Sequence, residues 1–301
     1  MKRTIKEYMF VSVKGACMGA ADVIPGVSGG TIAFIMGIYD EFVGSIASIN
    51  SEAMKKLLSG RFKDFWRHIN GNFLLSLVLG IGISVVSLAG IMQMLLNDFP
   101  IQTWAFFFGL IVASSIIIIR GISGWKLKEG VLMAAGILLG IVICTLSPTE
   151  TPDGLWFIFL SGAIAICAMV LPGISGSFLL LILGKYQFIM GCISDFVSGV
   201  DMGRNLIILL VFASGILTGI LAFSRFLHWV LEKWHKETLI VLVGFIIGSL
   251  VKVWPWNNPE AVAQVEKIGD PLIGMALLFA LLGFILVVGI EFMGKFKSRL
   301  K

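Results

Sequence analysis

Residues 25–31 read Pro-Gly-Val-Ser-Gly-Gly-Thr, and residues 172–177 repeat the pattern as Pro-Gly-Ile-Ser-Gly-Ser. Each copy interrupts an apolar stretch, where residues that break helices are costly unless the broken backbone serves a purpose. In a membrane protein, a matched pair of interrupted apolar segments is the best sequence indication of a substrate site. The repeated motif is therefore the first place to look for function.

The composition is that of a membrane protein. Hydrophobic residues make up 57% of the 301 residues and charged residues only 14%, and the mean hydropathy is +0.98. A soluble domain has about a quarter of its residues charged. We therefore expect an all-α polytopic membrane protein. Lys14 interrupts the apolar run near the N-terminus, so we expect a retained amphipathic segment there rather than a signal peptide.

The cysteines and histidines indicate no metal site. The four cysteines have no paired or metal-like spacing, and the three histidines are scattered. Each cysteine lies in or beside an apolar segment, as small core residues do. We therefore expect no metal. We also expect no cofactor, no catalytic residue and no nucleic-acid partner.

The two halves of the chain match beyond the motif. Residues 15–44 align with residues 162–191 at an offset of 147 positions, and later residues align at an offset of 135. The offset changes because the second half shortens the basic segment around 50–70. We therefore predict two copies of one fold unit, residues 1–150 and residues 151–301.

Each predicted repeat contains one re-entrant helical hairpin and three transmembrane helices. In the first repeat, the hairpin covers about 10–48, a basic cytoplasmic loop covers about 50–70, and the helices run over about 73–96, 103–119 and 129–146. In the second repeat, the hairpin covers about 155–197, and the helices run over about 205–230, 238–253 and 271–291. The helix predicted over about 73–96 would rise about 36 Å, enough to cross a hydrocarbon core of about 30 Å.

The basic residues predict the orientation. If each hairpin enters and leaves on one side, each repeat crosses the membrane three times, and the two repeats are inverted. In that topology one side holds only Lys185, Arg204, Lys252 and Lys267 of the 23 basic residues. The positive-inside rule then places both termini in the cytoplasm. Helices that crossed fully would instead divide the basic residues between the two faces.

The motif suits an anion. Ser28, Thr31, Ser175 and Ser177 are hydroxyl residues at or near the predicted starts of helices. The free N–H groups of a first helical turn carry partial positive charge and bind anions such as phosphate. The alternative is that Ser, Gly and Pro merely kink membrane helices or let them approach closely. Two copies in inverted repeats favour a site.

Two further pairs repeat with the motif. Gly37 corresponds to Gly184, and Tyr39 corresponds to Tyr186. We expect the glycines to serve tight packing and the tyrosines to lie at the membrane interface.

Charged residues near the motifs are a second signal. Asp22 corresponds to Met169, so the halves differ, and an acid at this depth is either a proton carrier or a cap for the broken helix. Lys185 either offers charge to an anion from the outer side or is a snorkelling anchor. Arg225 either anchors a helix on the cytoplasmic side or grips a headgroup. These alternatives stay open at the level of sequence.

The residues around the motifs resemble those of a known family. Residues 19–31 followed by Gly37-Ile38-Tyr39 resemble the signature of the bacterial polyprenyl-phosphate transporters, formerly a domain of unknown function. Residues 171–177 with 184–186 are similar to a second signature. Residues 248–250, leading to Trp-Pro-Trp at 254–256, are similar to a third. The resemblance covers essentially the whole chain.

The resemblance implies a flippase of the bacterial cytoplasmic membrane. Such transporters return undecaprenyl phosphate from the outer to the cytoplasmic leaflet for cell-envelope glycan synthesis. The implied headgroup site comprises Ser28, Gly29, Gly30, Thr31, Ser175, Gly176 and Ser177, with Lys185 and Arg225 as further candidates. Pro25, Gly26, Pro172 and Gly173 would shape the backbone. The implied partners are the polyprenyl-phosphate lipid and the bilayer; coupling to a proton or cation through Asp22 and homo-oligomerisation stay open.

Two alternatives come from other classes. Undecaprenyl-diphosphate phosphatases also use re-entrant hairpins, with a Pro-Gly-x-Ser-Arg-Ser element, but Gly29 and Gly176 stand here at the arginine position. Without a guanidinium on the transferred phosphoryl group, hydrolysis loses its main charge stabilisation. A small-anion channel or exporter is the other alternative, because helix starts bind small anions too.

Overall fold

The computed structural model describes residues 3–22, 28–146 and 151–299, which form helices and no β-strand. The helices of the first part of the chain are α1 (Ile5–Asp22), α2 (Gly29–Ile35), α3 (Tyr39–Ala47), α4 (Ser51–Leu58), α5 (Phe62–His68), α6 (Gly71–Asp98), α7 (Pro100–Gly121) and α8 (Leu127–Cys144). Those of the second part are α9 (Leu155–Val170), α10 (Gly176–Ile182), α11 (Tyr186–Val197), α12 (Met202–Lys233), α13 (His235–Val253), α14 (Pro259–Ile268) and α15 (Ile273–Arg299), with a 3₁₀ turn at Pro255–Asn257.

Several of these helices suit a bilayer. By length and composition α7, α8 and α12 can each cross a membrane, and three bent helix pairs raise the number to six if each pair is one span. The bent pairs are α2 with α3, α5 with the first part of α6, and α10 with α11. The chain is therefore a multi-pass helical membrane protein.

The chain forms two compact units that do not coincide with its sequence halves. One unit takes residues 1–86 and 146–235, and the other takes residues 87–145 and 236–301. In the first unit, α12 packs on α9 and α3, while α2 packs on α1, α3 and α9. In the second unit, α7 packs along α15 and also contacts α14. Both halves of the sequence thus contribute to both units.

Helix crossings in the first unit recur at repeat-related positions. A Cβ atom on Gly80 of α6 would overlap the carbonyl of Ser12 in α1, and one on Gly215 of α12 would overlap the carbonyl of Phe159 in α9. Gly80 and Gly215 differ by 135 positions and Ser12 and Phe159 by 147, the two offsets of the sequence alignment. Because glycine has no side chain, the two helix backbones can approach closely, as is common between membrane helices.

The second unit repeats this pattern. A Cβ atom on Gly109 of α7 would overlap the carbonyl of Ala280 in α15, and one on Gly244 of α13 would meet the carbonyl of Met133 in α8 at 2.5 Å. The same two offsets relate these pairs. Repeat-related residues therefore form equivalent close crossings in both units.

The segment 50–70 corrects an expectation, because it is helical rather than a loop. Asn50 caps α4 by accepting hydrogen bonds from Glu52 N and Ala53 N, both at 3.0 Å. A side-chain cap of this kind satisfies backbone donors that have no partner within the helix. The segment therefore forms α4 and α5, which pack against each other.

The turns of the two hairpins also correct an expectation. Gly37 between α2 and α3 has φ +65°, and Gly184 between α10 and α11 has φ +62°. A Cβ atom on Gly37 would meet nothing within 4 Å, so tight packing does not explain this glycine. The left-handed backbone does, because residues with a Cβ adopt it at a cost. These turns bend the helix pairs by 119° and 104°.

Candidate functional site

The start of α2 is capped by two side chains. Pro25 and Gly26 lie outside the described residues, and the description resumes at Ser28. The Ser28 hydroxyl accepts a hydrogen bond from Gly30 N at 3.1 Å. The Asp22 carboxylate accepts one from Gly29 N at 2.7 Å. Asp22 thus has the geometry of a cap, and a carboxylate stands on the first N–H group of this helix.

The start of α10 has no such carboxylate. Ser175 caps the helix by accepting a hydrogen bond from Phe178 N at 3.4 Å, and its hydroxyl lies 2.6 Å from that of Ser177. Met169 stands where the first half has Asp22. The N–H groups of Gly176 and Ser177 form no hydrogen bond with any described residue. The two helix starts are therefore alike in backbone but differ in occupancy.

The two motifs lie against each other within the first unit. The Ser28 hydroxyl lies 3.2 Å from the carbonyl oxygen of Leu171, to which it can donate. Gly173 N donates a hydrogen bond to Thr31 Oγ1 at 2.7 Å. Ser28 and Thr31 are each only 1% exposed. In this conformation, the hydroxyls of the first motif bind the broken backbone of the second.

Tyr39 adds a third hydrogen bond to this contact between the two motif regions, which we call the seam. Its hydroxyl donates to the carbonyl of Val170 at 3.1 Å, and its side chain is buried. An interfacial position was expected for Tyr39, and the structure corrects this. The repeat of a tyrosine two residues after each turn glycine was the available signal. Sequence alone cannot show that Tyr39 bonds to the other hairpin while the hydroxyl of Tyr186 has no hydrogen bond among the described residues.

Lys185 lies at the turn of the second hairpin in a closed ion pair. Its ammonium donates to Asp153 Oδ1 at 2.5 Å and to the carbonyl of Thr151 at 2.9 Å. The rings of Phe157 and Phe188 flank it, with centroids at 5.6 and 5.5 Å. Its side chain is 3% exposed, whereas that of Asp153 is 65% exposed. The charge of Lys185 is therefore matched inside the protein in this conformation.

Arg225 lies apart from the serines. Its guanidinium donates to the carbonyl of Ile49 at 2.5 Å and so joins α12 to the end of the first hairpin. No contact among the described residues links Arg225 to Ser28 or Ser175.

Basic side chains that precede the turn of the first hairpin bind to it, which the sequence did not indicate. Arg3 donates two hydrogen bonds to the Glu41 carboxylate, at 2.5 and 2.6 Å. Lys14 donates to the carbonyl of Met36 at 2.8 Å. Met36 corresponds to Leu183, whose carbonyl accepts from Thr151 Oγ1 at 2.5 Å. Repeat-related carbonyls in the two turns are thus held by unrelated donors.

The chemistry available at the motifs is that of neutral donors. Hydroxyl groups and backbone N–H groups surround the two helix starts, and the one acid in contact with them is Asp22 among the described residues. No group of three His, Cys, Asp or Glu side chains that could hold a metal ion occurs in the described parts of the chain. Such a donor set suits an anion and includes no guanidinium among the described residues.

Comparisons with known proteins identify the family of the chain. A family model described as undecaprenyl phosphate translocase-like matches residues 18–269. A relative named polyprenyl-phosphate transporter from Vibrio cholerae is 44% identical over 251 residues, which cover 83% of this chain and 79% of the relative. A second protein of that name, from Staphylococcus aureus, is 33% identical over 265 residues, with 83% of this chain and 88% of the relative covered.

Both relatives are named as transporters and neither as an enzyme. No solved structure matches the chain. The family match spans both motifs and most of the helices on which they lie. The chain therefore belongs to the undecaprenyl phosphate translocase-like family.

Proposed function

We propose that this protein is a flippase that returns a polyprenyl phosphate, undecaprenyl phosphate in particular, from the outer to the cytoplasmic leaflet. The phosphate headgroup binds where the two motifs meet, and the isoprenoid tail stays in the lipid. The relatives' names support the substrate class. The observation that carries the proposal for the site is the contrast between the two helix starts.

The α10 start offers the headgroup an open set of donors. The N–H groups of Gly176 and Ser177 have no partner among the described residues, and the hydroxyls of Ser175 and Ser177 lie beside them. A phosphate placed there gains hydrogen bonds to a charged acceptor, worth about 1.5–3 kcal/mol each. Gly176 itself lets α10 pack closely on α9, because a Cβ atom there would lie 2.6 Å from the carbonyl oxygen of Ala165.

The α2 start supports the same chemistry from the other side. Asp22 holds its carboxylate 2.7 Å from Gly29 N, so an anion already occupies this helix start. We infer that Asp22 combines the two roles that the sequence leaves open. It caps α2 while it is charged, and protonation would weaken its hold on Gly29 N and free that donor for the headgroup.

The seam between the motifs supports an exchange step. Ser28 and Thr31 are buried and bonded to the second motif at Leu171 and Gly173. For the headgroup to enter, phosphate oxygens must replace these bonds, after which both hydroxyls become its donors. The conformation described above is then the closed state of the headgroup site. Lys185 and Arg225 would act at the edges of the site, Lys185 only after Asp153 moves away.

The repeats give the transport path in this proposal. The hairpins 10–48 and 155–197 are re-entrant, and the repeats 1–150 and 151–301 are inverted in the bacterial cytoplasmic membrane with both termini in the cytoplasm. Equivalent helix crossings at repeat-related glycines support the duplication. The small number of basic residues on the outer side supports the inversion. Two inverted hairpins that meet at their motifs give the headgroup access from each side in turn.

A transport assay tests the proposal. The purified protein is reconstituted into liposomes, and the movement of labelled undecaprenyl phosphate between leaflets is measured together with the release of inorganic phosphate. We expect transport without phosphate release. Release of phosphate from the diphosphate lipid would instead indicate a phosphatase, and rapid chloride conduction unaffected by lipid phosphate would indicate a channel.

Single variants test the site itself. Ser175→Ala and Ser28→Ala should each weaken headgroup binding by about tenfold, because each removes one hydrogen bond to a charged group. Ser198→Ala, at the end of α11, is the matched control. Asp22→Asn should flatten the dependence of transport on pH. Unchanged binding in both serine variants would refute the site while leaving the transport activity to stand on its own measurement.

A further inference from the structure

Helices α4 and α5 carry a surplus of positive charge. Two of their basic residues are paired: Lys56 with Glu52, and Arg61 with Asp64, each at 2.7 Å. The remaining basic side chains, Lys55, Lys63 and Arg67, are exposed and form no hydrogen bond or ion pair with the described residues. Three exposed positive charges on this helix pair thus have no hydrogen bond or ion pair in the part of the chain that the structure describes.

The same helix pair exposes large apolar side chains. Leu58 is 82% exposed, Phe62 66% and Trp66 41%. Phe62 and Trp66 are four residues apart and share one face of α5, while Lys63 and Arg67 occupy the adjacent positions. Basic residues beside exposed Trp, Phe and Leu are characteristic of helices that lie in a membrane interface.

The angle between α5 and α6 supports that placement. The first part of α6 is bent by 70° from α5. If α6 crosses the bilayer, as its length and apolar sequence indicate, α5 runs close to the membrane plane. Trp66 lies in this corner, where its indole donates to Asn72 Oδ1 at 2.7 Å. A Cβ atom on Gly71 would overlap the indole ring, so the glycine makes room for it.

We propose that α4 and α5 form a membrane-surface element that binds the headgroups of anionic phospholipids in the leaflet where α6 begins. Phe62, Trp66 and Leu58 insert at the boundary between headgroups and acyl chains. Lys55, Lys63 and Arg67 contact the phosphate groups. The partner is a lipid surface rather than free phosphate, because a free anion would leave the apolar side chains unburied.

This surface element is tied to the first hairpin. Asn70, between α5 and α6, donates to Glu41 Oε1 at 2.8 Å and to Ser45 Oγ at 3.3 Å. Both acceptors belong to α3. Anionic lipid bound at α4 and α5 is therefore held directly beside the hairpin that carries Ser28 and Thr31.

A binding titration with a matched control tests the proposal. The full-length protein in micelles of a neutral detergent is titrated with fluorescent short-chain phosphatidylglycerol, with phosphatidylcholine as the neutral comparison. The test variant is Lys63→Gln with Arg67→Gln. The control is Arg204→Gln with Lys267→Gln, which removes the same charge from two exposed residues elsewhere.

Each basic residue near an anionic surface strengthens binding by about fivefold. We therefore expect the test variant to bind phosphatidylglycerol at least about tenfold more weakly, with the control unchanged and phosphatidylcholine unaffected. Equal loss in test and control variants would overturn the proposal, since it would show a general charge effect. Displacement of phosphatidylglycerol by millimolar inorganic phosphate would also overturn it, in favour of a free-phosphate site.

Discussion

The two hairpins share a backbone and differ in charge. In each, a helix of seven residues follows a serine cap, and a glycine with positive φ then bends the chain into the next helix. At the helix start, however, Asp22 faces Gly29 in the first hairpin, whereas Met169 faces Gly176 in the second. The duplicated geometry therefore presents one filled and one open set of backbone donors.

The far ends of the hairpins differ in a second way. In the first hairpin, a cation before the hairpin, Arg3, binds an acid within it, Glu41. In the second, an acid before the hairpin, Asp153, binds a cation within it, Lys185. The repeat therefore preserves backbone conformation, which many sequences can support, while side-chain charges have diverged.

The largest effect is expected when the second hairpin is given the acid of the first. Met169→Asp would place a carboxylate against Gly176 N, as Asp22 stands against Gly29 N. We expect headgroup binding to weaken by about thirty-fold, corresponding to about 2 kcal/mol for competition at a charge-assisted hydrogen bond. Binding of labelled undecaprenyl phosphate to the purified protein measures this. Met169→Leu should bind normally, and equal binding by Met169→Asp would contradict an open site at α10.

The ion pairs Lys185–Asp153 and Arg3–Glu41 should differ in how much they contribute to the free energy of unfolding. Asp153→Asn leaves Lys185 buried without its counter-charge, which should lower the free energy of unfolding by about 2 kcal/mol, below the full cost of a wholly buried pair because Asp153 is largely exposed. Glu41→Gln removes a half-exposed pair and should cost about 1 kcal/mol or less. Thermal unfolding in the same detergent compares them. A larger drop in Tm for Glu41→Gln would reverse this ranking.

The turn glycines should show the similarity of the hairpins rather than their difference. Gly37→Ala and Gly184→Ala each force a Cβ into left-handed backbone, which costs about 1 kcal/mol. The two variants should therefore lose similar thermal stability. Gly191→Ala in α11, where a Cβ would meet nothing within 4 Å, is the control. A loss at only one of the two turns would show that the turns are not equivalent.

The smallest effect is expected at the tyrosines. Tyr39→Phe removes the hydrogen bond to Val170 and should cost about 0.5–1 kcal/mol. Tyr186→Phe is the repeat-related control, because its side chain is partly exposed and its hydroxyl has no hydrogen-bond partner in the described parts of the chain. Differential scanning calorimetry of both variants measures the difference in their thermal stability. Identical stability of the two variants would mean that the Tyr39 bond adds nothing to the seam.

Much of the fold could be predicted, for a simple reason. Apolar length identifies helices that suit a bilayer, and the motif interruptions mark where helices break: α9 ends at Val170, just before the second motif. The expectation of a loop at 50–70 was wrong. The polar residues of this segment suggested a loop, but the Asn50 cap and local pairs such as Lys56 with Glu52 support short helices. Local capping is weak in a pattern of hydropathy but decisive in the folded chain.

The contacts of the candidate site could be predicted only in part. Ser28, Thr31, Ser175 and Gly176 could be chosen because the motif recurs at one offset. The bonds between Thr31 and Gly173 and between Tyr39 and Val170 join residues more than a hundred positions apart, and no local pattern encodes such contacts. The same holds for Lys185, whose partner Asp153 lies outside the motif.

The class of the protein, its duplicated motif and the asymmetry between Asp22 and Met169 could all be read from the amino-acid sequence. These follow from composition and spacing, which need no coordinates. Three contacts became known only from the folded chain: Asp22 accepts a hydrogen bond from Gly29 N, the first motif bonds to the second, and Lys185 pairs with Asp153. Such choices depend on which donors and acceptors meet after packing, because a buried polar group binds the nearest suitable partner rather than a neighbour in sequence.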